Sequence, residues 1–254
     1  MANRKWRIKR SFLFGFLAVV TMALIAFVEK KGGEKVYQQL EVYVQGISDV
    51  YFVEEAEIVR LLENEFPTLK SGSVLAEISL GKIEEKVETH PFVKNAEVFR
   101  DLKGNVIVKI DQHRPVARII RPMAAHGYIS SEGVVLPTSP NYTTRVLTLE
   151  GPMTEELLAK EDLSEEHGDL MNLIEFIEED KFWSAQIAGL ALDKKGEVKI
   201  FQQVGKQVIE FGKPVDIEEK FKKISLFYKK ILPAKGWNSY ERVNVKYKDQ
   251  IICE

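Results

Sequence analysis

The chain has 254 residues, 45% of them apolar and 10% aromatic, with 36 basic against 38 acidic side chains. Such a composition is typical of a folded protein with one or two hydrophobic cores, and it excludes a disordered or collagen-like chain. A single cysteine excludes an intramolecular disulfide framework and a cysteine-based structural zinc site.

The charges are unevenly distributed along the chain. Five of the 36 basic residues and no acidic residue lie within residues 1–28, which leaves 31 basic against 38 acidic side chains for the rest. Because nucleic-acid phosphates demand a cationic surface, this acidic body predicts that nucleic acid is not a partner.

A run of eighteen uncharged residues extends from Ser11 to Val28. As a helix it would be about 27 Å long, close to the thickness of the bilayer core. A cleaved signal peptide and a buried core helix are the alternatives, but the run lacks a small-residue cleavage site and a polar face. The preferred interpretation is a cytoplasmic tail at 1–10, a transmembrane helix at 11–28, a linker at 29–35 and an exported remainder, in agreement with the positive-inside rule.

Residues 36–112 form the first predicted exported region, in the order strand, helix, helix, strand, strand. The pattern of apolar residues and breakers predicts a strand at 40–44, a helix at 53–66, a second helix that Ser79 caps and that ends before Pro91, and strands at 93–100 and 106–112. An antiparallel three-stranded sheet with both helices on one face would bury these apolar stripes.

Residues 113–254 form a second predicted region that is richer in strands. Strands are expected within 127–136 and at 145–149, 185–193, 197–202 and 207–211, followed by a terminal hairpin of 242–247 and 250–253. Helices are expected over Leu170–Ile177 and after Asp216, which with Glu219 resembles a capping box. The predicted fold class is α+β, with a β-rich second domain of antiparallel strands and flanking helices.

Patterns typical of catalysis, metal binding or cofactor binding are absent from the sequence. The four histidines are scattered without ligand spacing, and no G-x-S-x-G, S-x-x-K or glycine-rich phosphate loop occurs. Cys253 lies near a predicted strand end without a base that would activate it. The sequence therefore predicts a protein without enzymatic activity, metal or cofactor.

Several motifs resemble the FtsQ/DivIB family of bacterial division proteins, when they are taken together and in order. The segment His90–Arg100, the pair of strands that it opens, and Arg114–Ala117 resemble the family's POTRA module and the start of its second domain. Arg145–Gly151, Ile209–Lys213 and Tyr240–Tyr247 are similar to later passages of that domain. Gln112-His113 departs from the acidic residue that many relatives carry before Arg-Pro.

The resemblance implies a POTRA domain at 36–112, an FtsQ-type β domain at 113–254 and a scaffold of the divisome that supports septal cell-wall synthesis. The location it implies is the cytoplasmic (inner) membrane at the septum, with the C-terminus outside. The expected partners are FtsB/FtsL-type single-pass proteins at the last strand, and other divisome proteins at the POTRA domain. A membrane-anchored cell-wall enzyme or its regulator is the alternative. A POTRA-bearing export component is a third possibility, although it would need a long C-terminal barrel.

The last predicted strand is the candidate partner-binding site. It closes the hairpin in a way that leaves one edge open to strand addition by a partner. The resemblance implies that Tyr247 matches the family's tyrosine before the hairpin turn, and that Lys246 lies beside it to pair with a partner carboxylate. Tyr247 is expected to share a face with Val243 and Val245, and a proline at Ile252 to remove an outward N–H. The candidate residues are Lys246, Tyr247, Gln250, Ile251, Ile252 and Cys253.

Overall fold

The computed structural model of the protein describes residues 14–24, 35–45, 52–70, 72–140 and 142–254. The predicted tail at 1–10, both ends of the predicted transmembrane helix and nearly all of the predicted linker lie outside these ranges. Residues 14–24 form a helix, α1. None of the helices within the described ranges is long and apolar enough to span a bilayer.

The described residues divide into two compact units. The first unit contains the described residues up to Gln45 together with Val53–Asp111. The second unit contains Phe52 and Gln112–Glu254. Each unit is described by itself below.

The first unit has the predicted order of one strand, two helices and two strands. Its elements are β1 (Leu40–Gln45), α2 (Glu55–Glu65), a 3-10 turn (Leu75–Glu77), α3 (Leu80–Glu88), β2 (Val93–Arg100) and β3 (Val106–Gln112). Both helices place apolar residues four positions apart on a buried face, Ile58 with Leu62 and Ile83 with Val87. Ser79 stands at the N-cap of α3, but its side chain makes no capping hydrogen bond.

The sheet of the first unit has the order β1-β3-β2, and β1 runs parallel to β3. Leu40 lies opposite Val106 and Gln45 opposite Asp111. The prediction of a fully antiparallel sheet was therefore wrong. Two helices and β2 separate β1 from β3 along the chain, and such a crossover returns the chain in the original direction, as parallel pairing requires.

The second unit is built on a nine-stranded sheet. Its strands are β4 (Pro115–Ile119), β5 (Gly127–Ser130), β6 (Val135–Leu136), β7 (Leu147–Glu150), β8 (Ile187–Leu192), β9 (Val198–Gln202), β10 (Val208–Gly212), β11 (Arg242–Asn244) and β12 (Ile252–Cys253). Its helices are α4 (Thr154–Leu158), α5 (Gly168–Glu179), α6 (Lys181–Gln186), α7 (Ile217–Leu226) and α8 (Leu232–Lys235), with a π-helical turn (Phe227–Ile231) between the last two. The sequence-based assignment did not include β4, α4, α6 and α8.

The nine strands follow the order β12-β11-β10-β9-β8-β7-β4-β5-β6. The pairs β4·β7, β7·β8 and β10·β11 are parallel, whereas the other neighbouring pairs of this sheet are antiparallel. The prediction of an antiparallel second domain was therefore wrong in part. The parallel pairs arise because helices connect β7 to β8 and β10 to β11, so the chain crosses over instead of turning in a hairpin.

The helices of the second unit cover its core. The predicted face of α5, formed by Leu170, Leu173, Ile174 and Ile177, is buried. The predicted capping box of α7 was wrong, because Asp216 has left-handed backbone angles (φ 52°, ψ 41°) and its side chain makes no capping bond. A side chain caps a helix from extended backbone, a conformation that Asp216 does not adopt.

Candidate partner-binding edge

The last strand, β12, lies at one end of the nine-stranded sheet. It pairs antiparallel with β11, with Cys253 opposite Val243 and Ile252 opposite Asn244. Within the part of the chain that the structure describes, no strand pairs with the other side of β12. One row of its backbone groups is therefore left outside the ladder.

The register decides which backbone groups point outward. Arg242 and Glu254 exchange two backbone hydrogen bonds of 3.0 Å. Bonded and non-bonded pairs alternate along antiparallel strands, so Cys253 belongs to a non-bonded pair and Ile252 to a bonded pair. The N–H and C=O of Cys253 thus point away from β11, while those of Ile252 point toward it. The expectation that a proline at Ile252 would remove an outward N–H was wrong, because that donor belongs to Cys253.

The side chains of the hairpin separate into two groups. Ile251 and Cys253 are half-buried and pack against the core of the second unit, whereas Ile252 is 38% exposed. Gln250 is exposed. Tyr247 is 52% exposed, so it does not share the buried face of Val243 and Val245. The reason is that β11 ends at Asn244 and the chain bends at Tyr247.

The ammonium of Lys246 already has a partner within the chain. Lys246 Nζ lies 2.7 Å from Oε2 of Glu197, the residue that precedes β9. This hydrogen bond raises the pKa of Lys246 above its ordinary value, against a smaller opposite effect of burial. The structure thus shows Lys246 fastening the end of β11 to the sheet, a contact that the sequence did not predict.

A lysine of α7 holds the chain that leads into the turn. Lys223 Nζ donates hydrogen bonds to the main-chain oxygens of Val245 at 2.8 Å and Tyr247 at 2.7 Å. Its side chain is only 12% exposed. Lys223 thereby fixes the backbone from which the exposed ring of Tyr247 projects.

Charged and polar side chains fasten the other end of the hairpin. Arg242 pairs with the carboxylate of Glu254, and its second nitrogen lies 3.9 Å from Glu210. Asn244 Nδ2 donates to Glu210 Oε2 at 2.8 Å. Together these contacts join β10, β11 and the residue after β12.

The comparison with known families assigns both units. The family described as "FtsQ/DivIB, C-terminal related" matches residues 114–254, more than half of the chain, and a POTRA-like domain matches residues 35–111. The chain belongs to the FtsQ/DivIB C-terminal related family. The predicted resemblance is confirmed, and the membership supports, in general terms, a scaffold role in cell division through protein–protein interactions. No curated protein matches the chain.

The potential reactive groups of this FtsQ/DivIB-related chain are dispersed. His90, His113 and His167 each lie 3.5 to 3.8 Å from a glutamate carboxylate. Among the residues with described positions, no group of three or more histidine, cysteine, aspartate or glutamate side chains is arranged to hold a metal ion. Burial raises the pKa of the Cys253 thiol, which favours its unreactive neutral form.

The sequence pattern located the hairpin of the FtsQ/DivIB-related chain but not the residues that hold it. Lys223, Glu197 and Glu210 reach the hairpin from elements far away in sequence. A lysine or glutamate on an exposed-looking helix or turn gives no local signal of such a contact. Only the arrangement of α7 and the strands brings these side chains to the edge.

Proposed function

We propose that this protein is a non-enzymatic scaffold of the bacterial division complex that binds an FtsB/FtsL-type single-pass partner by strand addition at β12. The observation that carries the proposal is the open edge of β12, with the N–H and C=O of Cys253 directed away from β11. Membership of the FtsQ/DivIB C-terminal related family supports the division context.

The edge offers both the main-chain groups and the side chains that recognition by β-augmentation uses. Backbone groups of Cys253 supply main-chain hydrogen bonds to an added strand, and exposed side chains supply selectivity. Ile252 and Tyr247 are the large apolar side chains exposed there, and aromatic residues are enriched among the residues that dominate binding energy. Gln250 adds a polar contact beside them, while Ile251 and Cys253 fix the strand against the core.

Contacts within the chain hold the backbone of the hairpin in place in the absence of a partner. Lys246 is bound to Glu197, and Lys223 to the carbonyls of Val245 and Tyr247. A strand that is already extended loses less conformational entropy on binding, which favours affinity. In this proposal Lys246 serves the site by holding the backbone of the hairpin.

The proposal places the scaffold in the cytoplasmic membrane at the septum. Residues 11–28 are the proposed anchor, with residues 1–10 in the cytoplasm and the two units outside. The described helix at 14–24 exposes large apolar side chains, among them Phe14, Phe16 and Met22, which supports a lipid environment. Further divisome proteins are proposed to bind the POTRA-like unit at its sheet and at Pro91–Val98, so that the scaffold supports septal cell-wall synthesis.

The test compares a proline variant in β12 with an alanine variant in β11. Cys253→Pro removes the outward N–H and spares the bonds to β11, so it is expected to abolish co-purification of the FtsB-type partner, with a modest loss of thermal stability from the half-buried side chain. Val243→Ala is the matched control for a lost core contact on the partner strand, and it is expected to lower stability while the partner is retained. Undiminished co-purification by Cys253→Pro would move the interface away from β12.

Depletion of the protein tests its cellular role. Filamentous cells with unclosed septa are expected for a division scaffold. Lysis without a division block would instead indicate a cell-wall enzyme or its regulator.

A further inference from the structure

The second unit contains a cavity of ≈ 860 Å³. Its walls are formed by α6, the turn between β9 and β10, the end of α7 with the π-helical turn that follows it, and the segment after α8. Small-molecule sites commonly enclose roughly 300–1,000 Å³, so the cavity has the size of a ligand site. None of the proposed partner-binding residues lines it.

Four aromatic side chains shape the cavity: Phe182, Trp183, Tyr228 and Trp237. Phe182 is 53% exposed and Trp237 is 61% exposed, whereas Trp183 is buried. The Phe182 and Trp183 rings meet edge to face at 4.8 Å. A buried tryptophan thus supports an exposed ring, and flat apolar surfaces face the solvent in one concave patch, which is a mark of a binding site.

Hydrogen-bond donors and acceptors accompany these rings in the lining of the cavity. Tyr228, Trp183 and Trp237 line the cavity, and their hydroxyl and indole N–H groups are hydrogen-bond donors. The amide nitrogen of Gln202 donates to the main-chain oxygen of Gln207 at 3.1 Å, and that of Gln207 donates to the oxygen of Trp237.

The amide oxygens of these two glutamines are therefore held in place. They lie around Gly205, where a Cβ atom would approach Gln207 Oε1 to 2.7 Å and Gln202 Oε1 to 3.4 Å. Neither oxygen accepts a hydrogen bond from a described residue. The lining thus combines these fixed acceptors with the hydroxyl and indole donors of the aromatic residues.

The charge of the lining favours an uncharged ligand. Asp180 and Lys229 are its charged side chains. The carboxylate of Asp180 is already engaged, because it accepts the N–H groups of Phe182 at 2.8 Å and Trp183 at 3.1 Å as the N-cap of α6. The negative charge of Asp180 offsets the positive charge of Lys229, so the lining has no net charge to attract an ion.

The mixture of donors, acceptors and ring faces identifies the class of ligand. A saccharide hydroxyl both donates and accepts a hydrogen bond, and the C–H face of a sugar ring offers an apolar surface to an aromatic ring. A proline-rich peptide also binds aromatic grooves, but it presents chiefly carbonyl acceptors and would leave the glutamine oxygens unpaired.

We propose that this cavity binds an uncharged saccharide chain, with Phe182 and Trp237 as stacking surfaces and Tyr228, Gln202 and Gln207 as hydrogen-bonding groups. The source of the ligand rests on the proposed function, since the exported units of a division scaffold would face the glycan of the cell wall. Binding itself does not depend on that function.

The experiment is a titration of the full-length chain with chitotetraose, an uncharged β-1,4-linked saccharide, followed by calorimetry. The protein is kept in a detergent without a sugar headgroup, because an alkyl glycoside would compete. Saturable binding is expected, weakened about tenfold or more in Trp237→Ala and in Phe182→Ala as one stacking surface is lost. Phe99→Ala, an exposed aromatic residue of the first unit, is the matched control and is expected to bind as tightly as the unchanged chain.

The outcomes separate this proposal from the partner-binding proposal. Absence of saturable binding, equal weakening by Phe99→Ala, unchanged binding by both cavity variants, or displacement of the saccharide by a decaproline peptide would each overturn it. Because Phe182 and Trp237 are exposed, their variants are expected to keep the thermal midpoint, and Phe182→Ala decides alone if Trp237→Ala does not fold. Trp237→Ala is expected to retain the FtsB-type partner, so a failure at one site is not read as a failure at the other.

Discussion

Lys223 and Tyr247 are joined by a hydrogen bond of 2.7 Å, in which the ammonium of Lys223 in α7 donates to the main-chain oxygen of Tyr247. The same ammonium donates to Val245 at 2.8 Å. A helix side chain therefore sets the path of the backbone that carries the exposed ring of Tyr247. Loss of the Lys223 side chain is expected to alter the conformation of the candidate edge although no residue of the edge itself is substituted.

Lys223→Met keeps the aliphatic stem but leaves two carbonyls without their donor. We expect the free energy of unfolding to fall by about 1–3 kcal/mol, and co-purification of the partner to weaken. Denaturant unfolding and a pull-down measure the two effects. Lys222→Met is the matched control, because Lys222 is 78% exposed and forms an ion pair with the equally exposed Glu218, so neither quantity is expected to change. Identical behaviour of the two variants would contradict this role of Lys223.

Exchange of the charges of Lys246 and Glu197 tests whether Lys246 acts within the chain. Either single reversal is expected to destabilise the hairpin modestly, by less than about 1 kcal/mol because both side chains are partly exposed, and the double exchange to restore stability and partner binding. Restored stability without restored binding would show instead that Lys246 contacts the partner.

The same pair has a predicted dependence on pH. Because the pKa of Lys246 is raised in the folded chain, its stabilising contribution is complete below the ordinary lysine value of 10.5 and is lost as the pH rises above it. Unfolding measured at neutral pH and at high alkalinity, in the unchanged chain and in Lys246→Met, isolates this contribution. A difference between the two proteins that grows with rising pH would refute the assignment.

Gly104→Ala is expected to destabilise the first unit by about 1–3 kcal/mol. Gly104 has a φ of 102°, and an added Cβ would lie 2.6 Å from the main-chain oxygen of Val36. Gly81→Ala is the matched control, since a Cβ there meets nothing within 4 Å and a helical alanine is expected to stabilise by about 0.5–1 kcal/mol. Thermal unfolding compares the two, and an equal sign of both effects would disprove the close approach at Gly104.

The proposed topology is tested by a reporter that fluoresces only in the cytoplasm, fused after Glu254. Dark cells are expected when the fusion is present at normal level, because five basic residues precede the uncharged run that begins at Ser11. The same reporter fused before residue 1 should fluoresce and serves as the control. Bright cells from the C-terminal fusion would reverse the topology.

Elements that depend on a local pattern of apolar residues could be predicted from the sequence. Ile58 with Leu62, and Leu170 with Leu173, lie at helical spacing on buried faces, so both helices were predicted from periodicity. The strand Pro115–Ile119 was not, because four of its five residues are buried and the run does not alternate. Buried runs that begin with proline are not distinguishable from loops by pattern alone.

Relationships between distant segments could not be predicted in this way. Parallel pairing of β1 with β3 and of β10 with β11 depends on how helices pack across the sheet, which no local window contains. At the candidate edge, the pattern located Ile252 and Cys253, but the choice between them as outward donor depends on one residue of register with β11.

The crossover between β10 and β11 has a consequence for the order of assembly. The connection between β10 and the parallel strand β11 contains α7, the π-turn and α8, and among the described strands β12 pairs with β11 alone. Because a long connection must close before such contacts form, we expect the hairpin to be among the late-forming and first-opening parts of the domain. In hydrogen exchange, the amides of β12 should lose protection before those of β8 and β9, and an incompletely folded chain would offer an incoming strand no template.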